Sequence, residues 1–131
     1  MARPCVLVVE DEPFIALDLV ATLVDAGFAV AGPVGTVPAA LDELRAQRPD
    51  AAIIDVNLNG KASTPVAAAL QAARVPFVVV TAYSSAANFP EFRDSLVLFK
   101  PVPPHTLLKV VRMLLEEDAG GGPAKLSAVT R

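Results

Sequence analysis

The sequence predicts an α/β fold built on a parallel β-sheet. Five short apolar segments alternate with stretches in which apolar residues recur at helical spacing, the order expected when each strand is followed by a crossover helix. The apolar segments are continuous, without the regular polar interruptions of a half-exposed strand. This pattern is typical of strands that helices cover on both faces. Together the two observations indicate a parallel sheet with right-handed crossovers.

Length and composition limit the classes of function. The chain has 131 residues, enough for one domain, and 53% hydrophobic against 19% charged residues indicates a compact globule. A net charge of −3 gives no reason to expect nucleic-acid or membrane-surface binding. No apolar run approaches the roughly 20 residues of a membrane span, and Cys5 is alone, so no disulfide is expected. The simplest interpretation is a cytoplasmic protein that binds neither nucleic acid nor membrane.

The first strand and helix are predicted from the start of the chain. Cys5–Val9 is a continuous apolar run that ends at an acidic pair. Pro13 suits the first turn of a helix, where its missing N–H is not needed, and Gly27 suits the position just after the helix ends. The apolar residues that fall at helical spacing between them are Leu17, Val20, Ala21 and Val24.

The next two strands and the helix between them follow from turn residues and apolar runs. Residues 28–34 resemble a strand, Thr36 suits the N-cap of a helix over 38–47, and a Pro-Asp pair ends that helix. Residues 51–55 then run through four apolar residues into the single carboxylate of Asp55. A ligand-binding position is expected there, because open α/β sheets bind ligands at the carboxyl ends of their strands.

The second half of the chain continues the alternation. Residues 56–61 have the composition of a turn, and a helix is expected from Ser63 or Thr64 to about Ala73. Residues 77–81 form a fourth apolar run that ends at a threonine.

The last part of the chain contains the weakest secondary-structure pattern in the sequence and one of the clearest. Residues 82–94 leave room for only a turn or two of helix before the fifth strand at 95–100. The final helix opens at two prolines and carries a wide apolar stripe of Leu107, Val110, Val111, Leu114 and Leu115. We expect the domain to comprise residues 1–118, followed by a flexible tail at 119–131.

Polar side chains stand at the carboxyl ends of four of the five strands. They are Glu10, Asp11, Asp55, Thr81 and Lys100. A parallel sheet gathers these ends on one edge, so the side chains are expected to converge. Three neighbouring carboxylates repel one another unless a cation lies between them, and an all-oxygen set favours Mg²⁺. A hydroxyl and an ammonium opposite the carboxylates suit the oxygens of a phosphoryl group.

This set of residues resembles a response-regulator receiver domain of the CheY type. The resemblance rests on the polar strand ends just described, together with Ala82 after the threonine and Pro101 after the lysine, and covers roughly residues 4–117. It implies a flavodoxin-like (βα)5 fold, a doubly wound parallel sheet of strand order 2-1-3-4-5, with a short or irregular fourth helix. It also implies a cis peptide bond between Lys100 and Pro101.

The resemblance implies a magnesium site and a phosphoacceptor. Asp55 would accept a phosphoryl group from a sensor histidine kinase or a histidine phosphotransfer protein. Asp11 and Asp55 would bind Mg²⁺ directly, the backbone carbonyl of Asn57 would be a third protein ligand, and Glu10 would reach the ion through a water molecule.

The same resemblance implies a switch. Lys100 would pair with Asp55 and then with the phosphoryl oxygens, while Thr81 would move inward to donate a hydrogen bond to the phosphoryl group. The protein would then be no conventional enzyme, although it would catalyse its own phosphorylation and dephosphorylation at Asp55. We expect a stand-alone receiver that is a monomer or weak dimer and acts on an unknown downstream protein.

The chain departs from the family pattern where the switch would be transmitted. Relatives carry an aromatic residue three positions before the lysine, and here that position is Val97. Tyr83 or Phe99 are the candidates to replace it. The chain is similar in this respect to a subgroup of receivers that lack the aromatic residue of the fifth strand.

Two other functions compete with phosphotransfer signalling. A phosphohydrolase with an aspartyl-phosphate intermediate would use the same nucleophile. Such enzymes carry an Asp-x-Asp-Gly motif after a strand, however, and the second carboxylate of that motif is missing after Asp55. A degenerate receiver would bind partners without phosphorylation, but the complete acidic set and Lys100 argue against it. Taken singly, each polar residue also has a structural interpretation as a cap, turn or surface residue.

Overall fold

The computed structural model describes residues 3–82, 92 and 95–120, with side chains as far as residue 116. The elements are β1 (Cys5–Val9), α1 (Pro13–Asp25), β2 (Ala29–Val34), α2 (Val37–Ala46), β3 (Ala51–Asp55), β4 (Asn57–Leu58), β5 (Lys61–Ala62), α3 (Thr64–Ala72), β6 (Phe77–Thr81), β7 (Val97–Phe99) and α4 (Pro104–Gly120). Most of the 82–94 segment, for which a short or irregular helix is expected, lies outside the described residues.

The main sheet has the predicted topology. Its strands lie in the order β2-β1-β3-β6-β7, and every neighbouring pair is parallel. Because β4 and β5 form a separate two-stranded hairpin, β6 and β7 are the fourth and fifth strands of the main sheet. The expected order 2-1-3-4-5 is therefore confirmed, and the fold is the flavodoxin-like α/β fold.

The sheet is covered by helices on both faces. One core cluster joins the sheet to α1 and α4, and a second joins it to α2 and α3. In β3, Ala51 and Ile53 belong to the first cluster and Ala52 and Ile54 to the second. All four are at most 1% exposed. Burial on both faces explains why the strands are continuous apolar runs.

The buried face of α1 is not the set of apolar residues noted at helical spacing in the sequence. Leu17 and Val24 are 62% and 50% exposed, whereas Ala16, Leu19 and Leu23 pack into the core. Both sets have helical spacing because α1 is apolar around much of its circumference. Periodicity alone therefore does not choose between the two faces, and contact with the sheet and α4 does.

The helix ends follow local hydrogen bonding. Thr36 caps α2 as predicted, since its hydroxyl accepts the N–H of Ala39 at 3.2 Å. Glu12 caps α1 by accepting the N–H of Ile15 at 2.9 Å, and Pro13 occupies the first helical position. In α4 the expected stripe is buried, apart from a half-buried Leu115. The helix runs to Gly120, and the rest of the expected tail, residues 121–131, lies outside the described part.

None of the helices in the described ranges combines the length and the apolar character needed to cross a bilayer.

Candidate functional site

Three carboxylates meet at the carboxyl edge of the sheet. Glu10 and Asp11 follow β1, and Asp55 is the last residue of the neighbouring strand β3. One oxygen from each carboxylate lies within 4.8 Å of the others. Glu10 is 4% and Asp55 6% exposed, whereas Asp11 is half-buried. The structure therefore brings together these three carboxylates, which were expected to converge at this edge, and they are called the acidic cluster below.

Lys100 joins the acidic cluster from the end of β7. Its Nζ lies 2.8 Å from Oδ2 of Asp55 and 2.9 Å from Oε1 of Glu10. Burial acts to lower the pKa of Lys100, but its hydrogen bonds and charge interactions with Asp55 and Glu10 outweigh burial and raise this pKa above its ordinary value. The lysine is therefore charged at neutral pH. The ammonium group contacts two of the three carboxylates, so the acidic cluster retains an excess of negative charge when all three are ionised.

A short hairpin donates backbone hydrogen bonds to two of the carboxylates. Asn59 and Gly60, at φ 54° and 84°, form the two-residue turn between β4 and β5, a conformation typical of a type I′ turn. The backbone N–H of Asn57 donates to Oδ1 of Asp55 at 3.2 Å, and that of Asn59 donates to Oδ2 of Asp11 at 3.1 Å. The turn composition of residues 56–61 thus produces a hairpin that orients the acidic cluster.

Ser63 fixes the backbone of Asp55 through a hydrogen bond. Its side chain is completely buried, and its hydroxyl donates a hydrogen bond to the backbone carbonyl of Asp55. Its own N–H donates to the carbonyl of Val56 at 2.8 Å. The sequence suggested Ser63 or Thr64 only as the start of a helix; Ser63 is at the N-cap position of α3, but its side chain makes no capping hydrogen bond. Only its complete burial distinguishes this serine from an ordinary helix-start residue, and burial cannot be read from the sequence.

Thr81 stands at the end of β6, next to the acidic cluster in the sheet. It is fully buried, and its hydroxyl donates to the carbonyl of Ala82 at 3.3 Å. Its backbone carbonyl accepts the N–H of Lys100 at 2.9 Å. The peptide bond between Lys100 and Pro101 is cis, as expected. β6 and β7 therefore fix the threonine and the lysine relative to each other.

Comparison with known proteins assigns the arrangement to a family. Residues 6–112 match the family model of the response regulator receiver domain. The chain belongs to this family. No curated protein matches the chain at a significant level, so the remaining comparisons are with solved structures.

Several solved receiver domains are similar to this chain. The solution structure of SdrG from Sphingomonas melonis Fr1 is 42% identical, covers 88% of this chain and 98% of its own, and has a TM-score of 0.77. The BeF3-activated conformation of SdrG from Pseudomonas melonis Fr1 is also 42% identical, covers 87% and 98%, and has a TM-score of 0.73. A CheY-like receiver domain protein from Methanospirillum hungatei JF-1 is 21% identical, covers 92% and 100%, and shares the fold at a TM-score of 0.80.

The acidic cluster of this receiver domain fits a divalent cation. Its donors are all carboxylate oxygens, which hard cations such as Mg²⁺ prefer, and they lie within 4.8 Å of one another. The single ammonium of Lys100 leaves negative charge for an ion to neutralise. The residues present are therefore compatible with the magnesium site typical of receiver domains.

Burial raises the pKa of the Glu10 carboxyl in this receiver domain. Desolvation raises the pKa of Glu10 from 4.5 to about 7, although hydrogen bonds from Lys100 and from the N–H of Glu12 act in the opposite direction. The charge of Asp55 contributes to the rise. In the absence of a metal, Glu10 is thus partly protonated near neutral pH.

The metal-free protein is expected to lose stability as the pH rises from about 4.5 to about 7. Within this window the folded state holds a proton on Glu10 that the unfolded chain has released, so raising the pH favours unfolding. The loss is at most about 3 kcal/mol. Urea unfolding in EDTA across this range measures it, with Glu10→Gln as the matched variant. Parallel pH profiles for the two proteins would contradict the expectation.

The position that usually holds the switch aromatic is occupied by a packing residue. Val97 pairs with Val79 in the sheet and packs against the second core cluster. Phe99 is 42% exposed, and Tyr83 lies outside the described residues. Replacement of the aromatic residue by Tyr83 or Phe99 stays a prediction.

Proposed function

We propose that this receiver domain accepts a phosphoryl group on Asp55 from the phosphohistidine of a sensor histidine kinase or a histidine phosphotransfer protein. The observation that carries the proposal is the position of the Asp55 carboxylate, bonded to Lys100 at 2.8 Å and adjacent to Glu10 and Asp11. The phosphorylated protein would change its binding to a downstream protein or pass the phosphoryl group on.

Each residue of the site has a separate task in the proposed reaction. A carboxylate oxygen of Asp55 attacks the phosphorus, the P–N bond breaks, and the imidazole leaves with the electron pair. Lys100 moves from the carboxylate to the phosphoryl oxygens, where its charge offsets the charge that develops. The hydroxyl of Thr81 leaves the carbonyl of Ala82 and donates to the phosphoryl group.

Magnesium would be held by the acidic cluster and the hairpin. Asp11, Asp55 and the backbone carbonyl of Asn57 would bind it directly, and Glu10 through water. The bound ion would supply charge neutralisation between the carboxylates and the phosphoryl oxygens. The chain's own contribution is to fix these oxygens in place through the N–H groups of Asn57 and Asn59.

A groove beside the site suits the approach of the phosphodonor protein. It lies between α1 and α4, measures about 1020 Å³ and reaches Lys100 and Pro101. Outside the lining of the groove but on the same helix, Phe14 and Leu17 are 76% and 62% exposed, and neighbouring exposed apolar side chains are typical of surfaces that bind a partner. The phosphohistidine must reach Asp55, so the partner is inferred to contact this part of the surface. The cytoplasmic location belongs to the same proposal and rests on family membership.

Incubation with acetyl phosphate and Mg²⁺, followed by intact-mass measurement, tests the proposal. We expect a gain of one phosphoryl group that is absent in EDTA. Beryllofluoride is a suitable second probe, since one of the similar solved structures is the BeF3-activated conformation of SdrG. No mass gain under any condition would overturn the proposal. Repeated turnover of small phosphate esters would favour a phosphohydrolase, and partner binding that is insensitive to either reagent would favour a degenerate receiver.

A further inference from the structure

β2 contains a bulge where it passes the end of β1. Leu7 pairs with Ala31 but Val9 pairs with Val34, so β2 has one more residue than β1 across this interval. Gly32 lies in the bulge at φ +90°, and a Cβ there would be 2.8 Å from the carbonyl oxygen of Val8. Bulges of this kind occur beside functional sites, where they redirect the chain.

The bulge brings the end of β2 against the acidic pair. The carbonyl of Val34 accepts the N–H of Glu10 at 2.8 Å. Gly35 follows, and a Cβ on it would lie 3.2 Å from Cα and 3.5 Å from Cβ of Asp11, and 3.6 Å from the carbonyl oxygen of Glu10. Gly35 is not in the left-handed region, so its backbone conformation does not require glycine. The constraint is the close approach to Asp11, because a Cβ at 3.2 Å from its Cα requires Asp11 to move by a few tenths of an ångström.

We propose that Gly35 is a positioning residue for Asp11, and this inference rests on the proposed magnesium site. The backbone of Gly35 packs against the backbone of Asp11, while the N–H of Asn59 holds the carboxylate at 3.1 Å. Asp11 is thus located between two segments that are distant in sequence. A Cβ at position 35 displaces Asp11 by a few tenths of an ångström, and Mg²⁺ tolerates displaced ligands poorly because it requires near-octahedral geometry.

The variant Gly35→Ala tests the inference. We expect its Mg²⁺ dissociation constant to rise roughly tenfold, the usual effect of losing support around a metal ligand, with little change in the Tm of the metal-free protein. Titration of amide resonances with Mg²⁺ alone measures the affinity. The matched control is Gly27→Ala, at φ +96° with no atom within 4 Å of the added Cβ. It is expected to lower the Tm through backbone strain and to leave the Mg²⁺ affinity unchanged.

The outcomes separate this inference from the proposed function. If the wild-type protein does not bind Mg²⁺, the proposed site fails. If the wild type binds Mg²⁺ and the dissociation constant of Gly35→Ala lies within twofold of the wild-type value, the positioning role is overturned. This holds also if the variant has a lower Tm. Should Gly35→Ala not fold, the wild-type titration decides: the amide of Gly35 is expected to shift with Mg²⁺ and that of Gly27 not to shift. An unshifted Gly35 amide overturns the inference.

Discussion

Asp55→Asn is expected to abolish phosphorylation by acetyl phosphate while the protein remains folded. The amide is not a nucleophile and is a poorer ligand for a cation, so both contributions of Asp55 to the reaction are lost. The fold should tolerate the change, since Lys100 keeps its ion pair with Glu10 at 2.9 Å and one of three mutually repelling charges disappears. Intact-mass measurement after incubation with acetyl phosphate and Mg²⁺ gives the result directly.

Two further variants separate the nucleophile from the metal site. Asp11→Asn removes a metal ligand but leaves Asp55, so its phosphorylation should weaken and recover at high Mg²⁺ concentration. Asp25→Asn, at an exposed position at the end of α1, should behave as the wild type. A magnesium-dependent mass gain that persists in Asp55→Asn would place the phosphoryl group elsewhere and remove the basis of the proposed function.

Lys100→Met is expected to destabilise the metal-free protein by about 2–4 kcal/mol. The variant keeps the aliphatic length of the side chain but leaves Glu10 and Asp55 without their counter-charge, and their side chains are only 1% and 8% exposed. The figure extends below the roughly 3–5 kcal/mol typical of broken buried ion pairs because the Lys100 side chain is 20% exposed. Urea unfolding in EDTA measures the change.

Magnesium should restore much of this loss. Without the ammonium group the acidic cluster attracts a divalent cation more strongly, and binding to the folded state alone stabilises it. Lys109→Met, on the exposed face of α4, is the control and should change stability by less than about 0.5 kcal/mol. A similarly small effect of Lys100→Met would mean that the ion pairs contribute little to the folded state.

The strand ends of the site could be predicted from sequence because topology alone brings them together. Continuous apolar runs identify buried parallel strands, and such strands place their carboxyl ends on one edge. The resemblance to receiver domains then supplied the strand order, which the structure confirms. Neither step requires side-chain geometry.

The supporting residues could not be predicted in the same way. Ser63 and Gly35 act through the backbone of Asp55 and Asp11, and their own residue types suit a cap and a turn equally well. The buried face of α1 could not be predicted for a related reason. Leu17 and Leu19 are both leucines on an apolar helix, and only the sheet beneath determines which one is buried.

The parallel sheet also has a consequence for folding. The ion pair between Lys100 and Asp55 spans 45 positions of the chain, and the hydrogen bond between Asn59 and Asp11 spans 48. Contacts of such long range form late, because the entropy of closing the intervening chain must be overcome first. An incomplete folding intermediate would therefore lack the assembled carboxylates, so a chain that can be phosphorylated is one whose central strands have already paired.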